Sequence, residues 1–213
     1  MKKVFIVLFI IFNLIWISGC GCSKIDFTYF SEHVNSIENY KYYSLTQEIY
    51  NSDLLLYKQD KNVYFDGDKA RIVIDTKNIN GIDEDEIYNQ NKEEFFKEGN
   101  NFYYKENGKW KIRTQENSEK IGLSLSKDMF SDYKIDKEDK RIFRGSVKEE
   151  SVNEFFGYKL ENVSDIKLNI FIDKNDKVES VSLEYNESNG NKVVVSISIG
   201  YELISKFEIP TVE

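Results

Sequence analysis

The tightest constraint on the fold lies in the last third of the chain. Ile166, Leu168, Ile170 and Ile172 occupy every second position, with polar residues and Phe171 between them. Beyond Asp173-Lys174-Asn175-Asp176, the residues Val181, Leu183 and Tyr185 repeat the pattern. Past a second polar stretch, Asn186 to Asn191, Val193, Val195, Ile197 and Ile199 repeat it again. Successive side chains of a strand point to opposite faces. Three such segments joined by polar turns therefore specify an antiparallel sheet with one covered face. The rest of the chain has to supply the cover.

Upstream, the same period governs most of the sequence. Tyr43, Leu45 and Ile49 alternate with polar residues, and Leu54 to Tyr57 continue the extended run. Asp60-Lys61-Asn62 reads as a turn between Leu54–Lys58 and Val63–Phe65. Asp66-Gly67-Asp68 reads as a hairpin turn leading into Ala70–Asp75, because Asp-Gly between alternating apolar residues favours that geometry. Ile72 and Ile74 then face the core. Asn78 to Glu86 reads as an acidic loop, and its Asp83-Glu84-Asp85-Glu86 lacks the spacing and central glycine of a calcium-binding EF-hand. Three short strands follow at Glu94–Lys97, Phe102–Lys105 and Lys109–Arg113, turned by Gly99-Asn100-Asn101 and Asn107-Gly108. Two more are expected around Tyr133–Ile135 and Arg141–Val147, with Tyr201 to Phe207 as a candidate extension of the last strand.

Three segments depart from this period. From Asp26 to about Tyr40, Phe27, Phe30, Val34 and Ile37 form one apolar stripe at helical spacing, with Asp26 or Thr28 as cap. Ile121, Leu125 and Met129, flanked by Leu123 and Phe130, predict a short covering helix within Asn117–Tyr133. Glu149 to Phe156 predicts a helical turn that packs Val152, Phe155 and Phe156 inward. The expected fold class is α+β, mainly antiparallel β: a strongly curved sheet or half-open barrel with a leading helix and a short covering helix.

The N-terminus specifies an address. Lys2 and Lys3 precede Val4–Ile17, which is apolar except for Asn13. That run falls short of the about 20 residues needed to span a bilayer and suits an export signal. Ile17-Ser18-Gly19-Cys20 resembles the lipobox of bacterial lipoproteins. The resemblance implies cleavage between Gly19 and Cys20, a diacylglycerol thioether on Cys20 with further N-acylation possible, and palmitate among the acyl chains. Two chains hold a protein firmly where one holds marginally. Cys22, preceded by Gly19-Cys20-Gly21, lacks the aliphatic lead residue. The expected organisation is a signal peptide at 1–19, a lipidated tether at 20–25 and one β-rich domain at 26–213. The expected location is the outer face of the bacterial cytoplasmic membrane, which is the cell surface in a Gram-positive organism.

The domain itself resembles the LolA/LolB lipoprotein-carrier superfamily and the mycobacterial LppX/LprG lipoproteins. The resemblance is carried by the helix at Asp26–Tyr40, by the hairpins Val63–Ala70 and Phe102–Trp110, by the interruption Asn117–Tyr133, and by Ile209-Pro210 after the final strand. It implies a half-open antiparallel barrel that wraps an apolar ligand under helical lids. It transfers no individual residue role.

Composition narrows the chemistry. The 213 residues carry 29 basic and 37 acidic side chains, a net charge of −8. A chain this acidic is a poor match for nucleic acid, which needs clustered Lys and Arg. With Cys20 consumed by lipid, Cys22 has no partner for a disulfide. His33 is the only histidine, and it sits beside the helical stripe with no second histidine or cysteine near it. No phosphate-binding Gly-rich loop, nucleophile elbow or His-Glu-x-x-His occurs. The sequence therefore predicts neither catalysis nor a cofactor nor a metal. Asn162-Val163-Ser164 matches a glycosylation sequon that bacterial lipoproteins rarely use. The aromatic residues Tyr40, Tyr42, Tyr43, Tyr103, Tyr104, Phe155 and Phe156 are candidates for lining a pocket or for ordinary sheet packing. Two functions remain open: a membrane-anchored binding or carrier protein for a lipid or other hydrophobic ligand, and a surface module with a filled core that binds another protein.

Overall fold

The computed structural model describes residues 25–81, 87–116, 119–152, 160–202 and 206–212. Helix α1 (Phe27–Asn35) is followed by strands β1 (Tyr42–Asn51), β2 (Leu54–Asp66), β3 (Lys69–Gly81), β4 (Ile87–Glu98), β5 (Asn101–Glu106) and β6 (Lys109–Thr114). The chain then crosses to β7 (Phe130–Ile135), β8 (Ile142–Val147), β9 (Val163–Ile172), β10 (Val178–Glu187) and β11 (Asn191–Gly200). All lie in one eleven-stranded sheet, in the order β6-β5-β4-β3-β2-β1-β11-β10-β9-β8-β7, and every adjacent pair is antiparallel. The first strand thus becomes central when the last one pairs with it, Tyr42 opposite Gly200 through Asn51 opposite Asn191. The sheet does not close, so β6 and β7 remain edges. The predicted class holds: mainly antiparallel sheet, open, with a leading helix.

Residues on one face of β8–β11 and β1 form the core, where Leu168, Ile170, Ile172, Leu183, Val193 and Phe143 are all at most 1% exposed. Helix α1 lies over this face. Asp26 caps it by accepting from the amides of Thr28 at 2.9 Å and Tyr29 at 3.4 Å, a contribution of about 1 kcal/mol. Phe30 and Val34 are fully buried, while Phe27 and Ile37 pack at the margins. Phe27 meets the rings of Phe130, Tyr133 and Phe143 at centroid distances of 6.0, 5.3 and 5.8 Å. Gly145 makes room for this cluster, since a Cβ there would run into the Phe130 ring. Gly200 does the same for Tyr42 on the opposite face.

Four expectations are corrected. Asp60-Lys61-Asn62 is not a turn: β2 runs unbroken through it, with Asp60 opposite both Thr46 and Asp75. Thr46 donates to the Asp60 carboxylate at 2.7 Å, so the polar side chains are satisfied across the ladder. The covering helix within Asn117–Tyr133 is likewise absent from its described residues, 119–133. Residues 119–126 form an extended strap, Lys127–Met129 a single 3-10 turn, and β7 has begun by Phe130. Ile121, Leu123 and Leu125 pack inward while Gly122 and Ser124 face out. Gly and Ser disfavour helix, and alternate burial suits an extended chain. Asn78 to Gly81, expected in a loop, belongs to β3. Strand β11 ends at Gly200 and is not prolonged by Tyr201. Glu149–Ser151 forms a 3-10 turn with Val152 buried against the core. Gly19, Cys20, Cys22, the acidic run at 83–86, Phe155 and Phe156 lie outside the described residues. Among those described, no helix is long and apolar enough to cross a membrane.

Candidate ligand-binding site

Among the described residues, the strap is the connection that crosses the covered face. It leaves β6 with Gln115 donating to the Asn100 carbonyl at 2.8 Å. Glu119 then meets the Lys61 ammonium of β2 at 2.8 Å. The Ile121 amide donates to the Tyr40 hydroxyl at 2.6 Å. At the far side the Asn35 carboxamide grips the strap backbone twice, accepting from the Leu125 amide at 2.6 Å and donating to its carbonyl at 3.1 Å. A planar carboxamide is well matched to a peptide group, so one side chain replaces the neighbouring strand that the strap lacks. Leu125 and Met129 are thereby buried at 2% and 1% exposure. Helix and strap together fill the face over the core strands.

A pocket of about 420 Å³ opens where this cover ends. Its apolar wall is Ile37 from the chain leaving α1, Tyr40, Phe65 at the end of β2, and Ile121 from the strap. Glu38, Lys41 and Lys120 ring the mouth. The local folding follows from the residue types. Asn39 takes a left-handed conformation, φ 58°, which asparagine tolerates better than most residues. That turn sends Tyr40 inward and lets Lys41 bridge two strands, its amide donating to the Gly200 carbonyl and its carbonyl accepting from Phe65, each at 2.8 Å. Tyr40 stands edge-on to Phe65, with centroids 5.4 Å apart and planes at 83°. Burial raises the Tyr40 hydroxyl above its ordinary pKa. Burial raises that of Tyr43 further, with the Glu119 carboxylate adding to it. Both phenols are therefore neutral at physiological pH, so Tyr40 presents its ring to the pocket without charge. Pockets that take small apolar molecules are concave and of about 300–1,000 Å³, a range that includes this one.

The aromatic residues singled out in the sequence divide between the faces. Tyr40 lines the pocket and Tyr43 backs it, 6.3 Å from Tyr40 and 6.2 Å from Phe65. Tyr104 packs on the same face farther out, under the Arg113 guanidinium at 5.5 Å. Tyr42 and Tyr103 face the other way, Tyr42 stacked on Tyr64 at 6.3 Å and Tyr103 in register with Phe96. Ile37, Phe65 and Ile121 were not singled out as lining residues. The signal for Phe65 was its place just before Asp66-Gly67; Ile37 and Ile121 read only as members of helical stripes. His33 points its Nδ1 at the Tyr29 carbonyl, 2.6 Å away, and serves α1 locally. Among the described residues, no group of three metal-binding side chains converges.

A larger groove, about 690 Å³, lies where β5 diverges from β4 after only three paired positions. Its walls carry Arg71, Lys92, Glu93, Glu94 and Lys105 beside Tyr64, Val73 and Phe95, and Arg71 is bound to Glu94 at 2.7 Å. Charged walls of this kind suit solvent better than an apolar ligand.

No protein-family profile matches the chain, and no curated protein matches it. Five solved chains do. One is the crystal structure of LprF from Mycobacterium bovis, 15% identical, with the match covering 87% of this chain and 94% of that one at a TM-score of 0.44. The fold class rests on the sheet, helix and strap described above.

Replacing Asn35 with Ala removes both grips and leaves a buried amide and carbonyl of Leu125 unpaired, at about 1–3 kcal/mol for each orphaned group. Equilibrium urea unfolding is expected to show a loss of about 2 kcal/mol or more. An unchanged midpoint would mean that the strap is held by other contacts.

Proposed function

We propose that the chain is an exported lipoprotein, tethered through Cys20 at the outer face of the bacterial cytoplasmic membrane, that binds a hydrophobic ligand without chemical conversion. The observation that carries the binding reading is the pocket walled by Ile37, Tyr40, Phe65 and Ile121. It lies at the edge of the helix-and-strap cover. Over the core strands the covered face is occupied by the protein's own Phe30, Val34, Leu125 and Met129. The ligand is accordingly small or enters by one apolar portion, a single acyl chain or ring system, with its polar end left at the rim among Glu38, Lys41 and Lys120. Tethering rests on Ile17-Ser18-Gly19-Cys20 following an apolar run too short to span a bilayer. Two acyl chains, each contributing about 0.8 kcal/mol per buried CH₂, keep the ligand pocket close to a lipid source.

The same filling favours a second reading, an interaction module whose core has no room for a ligand. Native mass spectrometry of residues 26–213 purified from cells separates the two. Binding predicts a discrete adduct of lipid mass that is lost in Ile121→Asp and Phe65→Asp. An adduct-free wild-type protein would contradict it and leave the interaction module. The tether is tested independently by metabolic labelling with a palmitate analogue, where Cys20→Ser is expected to abolish incorporation. Label persisting at the wild-type level in that variant would exclude Cys20 as the acceptor.

A further inference from the structure

Strands β1–β4 run well beyond the strap, and on the covered side this extension carries neutral side chains, polar except for Ile49. Register places Gln47 opposite Gln59, Gln59 opposite Thr76, and Thr76 opposite Asn91, in one row across four strands. The next row carries Ile49, Tyr57, Asn78 and Asn89. Directly opposed residues share a face, so these side chains form a continuous neutral floor. Three inter-strand spacings of about 4.8 Å make each row about 14 Å long. Gln47, Tyr57, Gln59, Thr76 and Asn78 are half-buried, while Asn89 and Asn91 are exposed.

The reverse side of the same four strands is built differently. There Glu48, Lys58, Asp60, Asp75, Lys77 and Lys92 occupy the intervening positions. Side chains with formal charge make up 31% of the chain, so solvation alone does not account for a floor with none. One end of the floor is bounded by the Lys61–Glu119 ion pair, in which each charge meets its opposite.

The hydrogen bonding on the floor is also ordered. Gln59 donates from Nε2 to the Tyr57 hydroxyl at 2.9 Å and to the Thr76 hydroxyl at 3.1 Å. Both hydroxyl oxygens act as acceptors in these bonds, which directs their own hydrogens to a third group. A neutral partner that offers many hydroxyls, each able to accept and donate, is what carboxamides and hydroxyls in this arrangement fit. The Tyr57 ring supplies a face for the C–H surface of a sugar ring.

We infer that the neutral floor of β1–β4 binds an uncharged oligosaccharide segment, with Gln59 and Thr76 holding sugar hydroxyls and Tyr57 providing the stacking face. This site is separate from the pocket at Tyr40 and does not depend on it. Full-length protein in detergent micelles, titrated calorimetrically with chitotetraose, cellotetraose and mannotetraose, tests the assignment. Saturable binding is expected for at least one of the three, and it should persist in 1 M salt because no charge pairing is involved. Gln59→Leu and Tyr57→Leu should each weaken it about tenfold or more, whereas Lys92→Gln on the reverse face should leave it unchanged. Thr76→Val provides a second variant should Gln59→Leu fail to fold. The inference is overturned if none of the three sugars binds saturably, if 1 M salt abolishes binding, or if Gln59→Leu or Thr76→Val melts like wild type and binds as tightly.

Discussion

One side-chain amide decides what kind of sheet this chain forms. Nine of the ten strand pairings join strands consecutive in sequence, and the tenth returns β11 to β1. The passage from β6 to β7 has no such neighbour, because it must cross from one edge of the sheet to the other. Asn35 supplies the missing partner by accepting from and donating to the Leu125 peptide. With that grip in place the strap buries Leu125 and Met129, and α1 has a wall to pack against. Without it the crossing segment would expose its backbone over an apolar face, where unpaired peptide groups are costly. The edge of the same cover defines the pocket at Tyr40, so the packing and the pocket share one origin.

Where the sheet alternates between apolar and polar, the sequence was transparent. Strands β9–β11 and α1 with its Asp26 cap could be placed from residue period alone. The β2–β3 turn was equally legible, since Asp66-Gly67 places glycine at φ +66° where other residues are strained. Toward the far ends of β1–β4 the rule changes. There Gln47, Gln59, Thr76 and Asn91 take the inward positions, and a search for apolar periodicity sees only polar sequence. At Asp60-Lys61-Asn62 the inward residue is Lys61, paired with Glu119, so the triplet reads as a turn although it lies in mid-strand.

The strap was illegible for a different reason. Ile121, Leu125 and Met129 are spaced by four, which fits one face of a helix and also one face of an extended chain. Leu123 and the intervening Gly122 and Ser124 break the tie toward extension, but only the geometry of Asn35, ninety residues away in sequence, fixes it. The pocket inherits this difficulty. Tyr40 could be named from the aromatic content, whereas Phe65, Ile37 and Ile121 come together through the crossing and not through any local motif. The proposed lipidation site is the reverse case: Cys20 is singled out by its immediate neighbours Ile17-Ser18-Gly19 and needs no tertiary context.

The central claim is that the strap belongs to the folded core and covers the sheet. Hydrogen exchange at the Leu125 amide tests it most directly, because that N–H donates to the Asn35 side chain and, among the described residues, to no other group. Protection of Leu125 comparable to that of amides in β1 and β11 is the expected result, since opening it requires separating α1 from the sheet. Exchange at the rate of an unstructured peptide, with β1 and β11 still protected, would show the strap detached and contradict the filled, half-covered sheet described above.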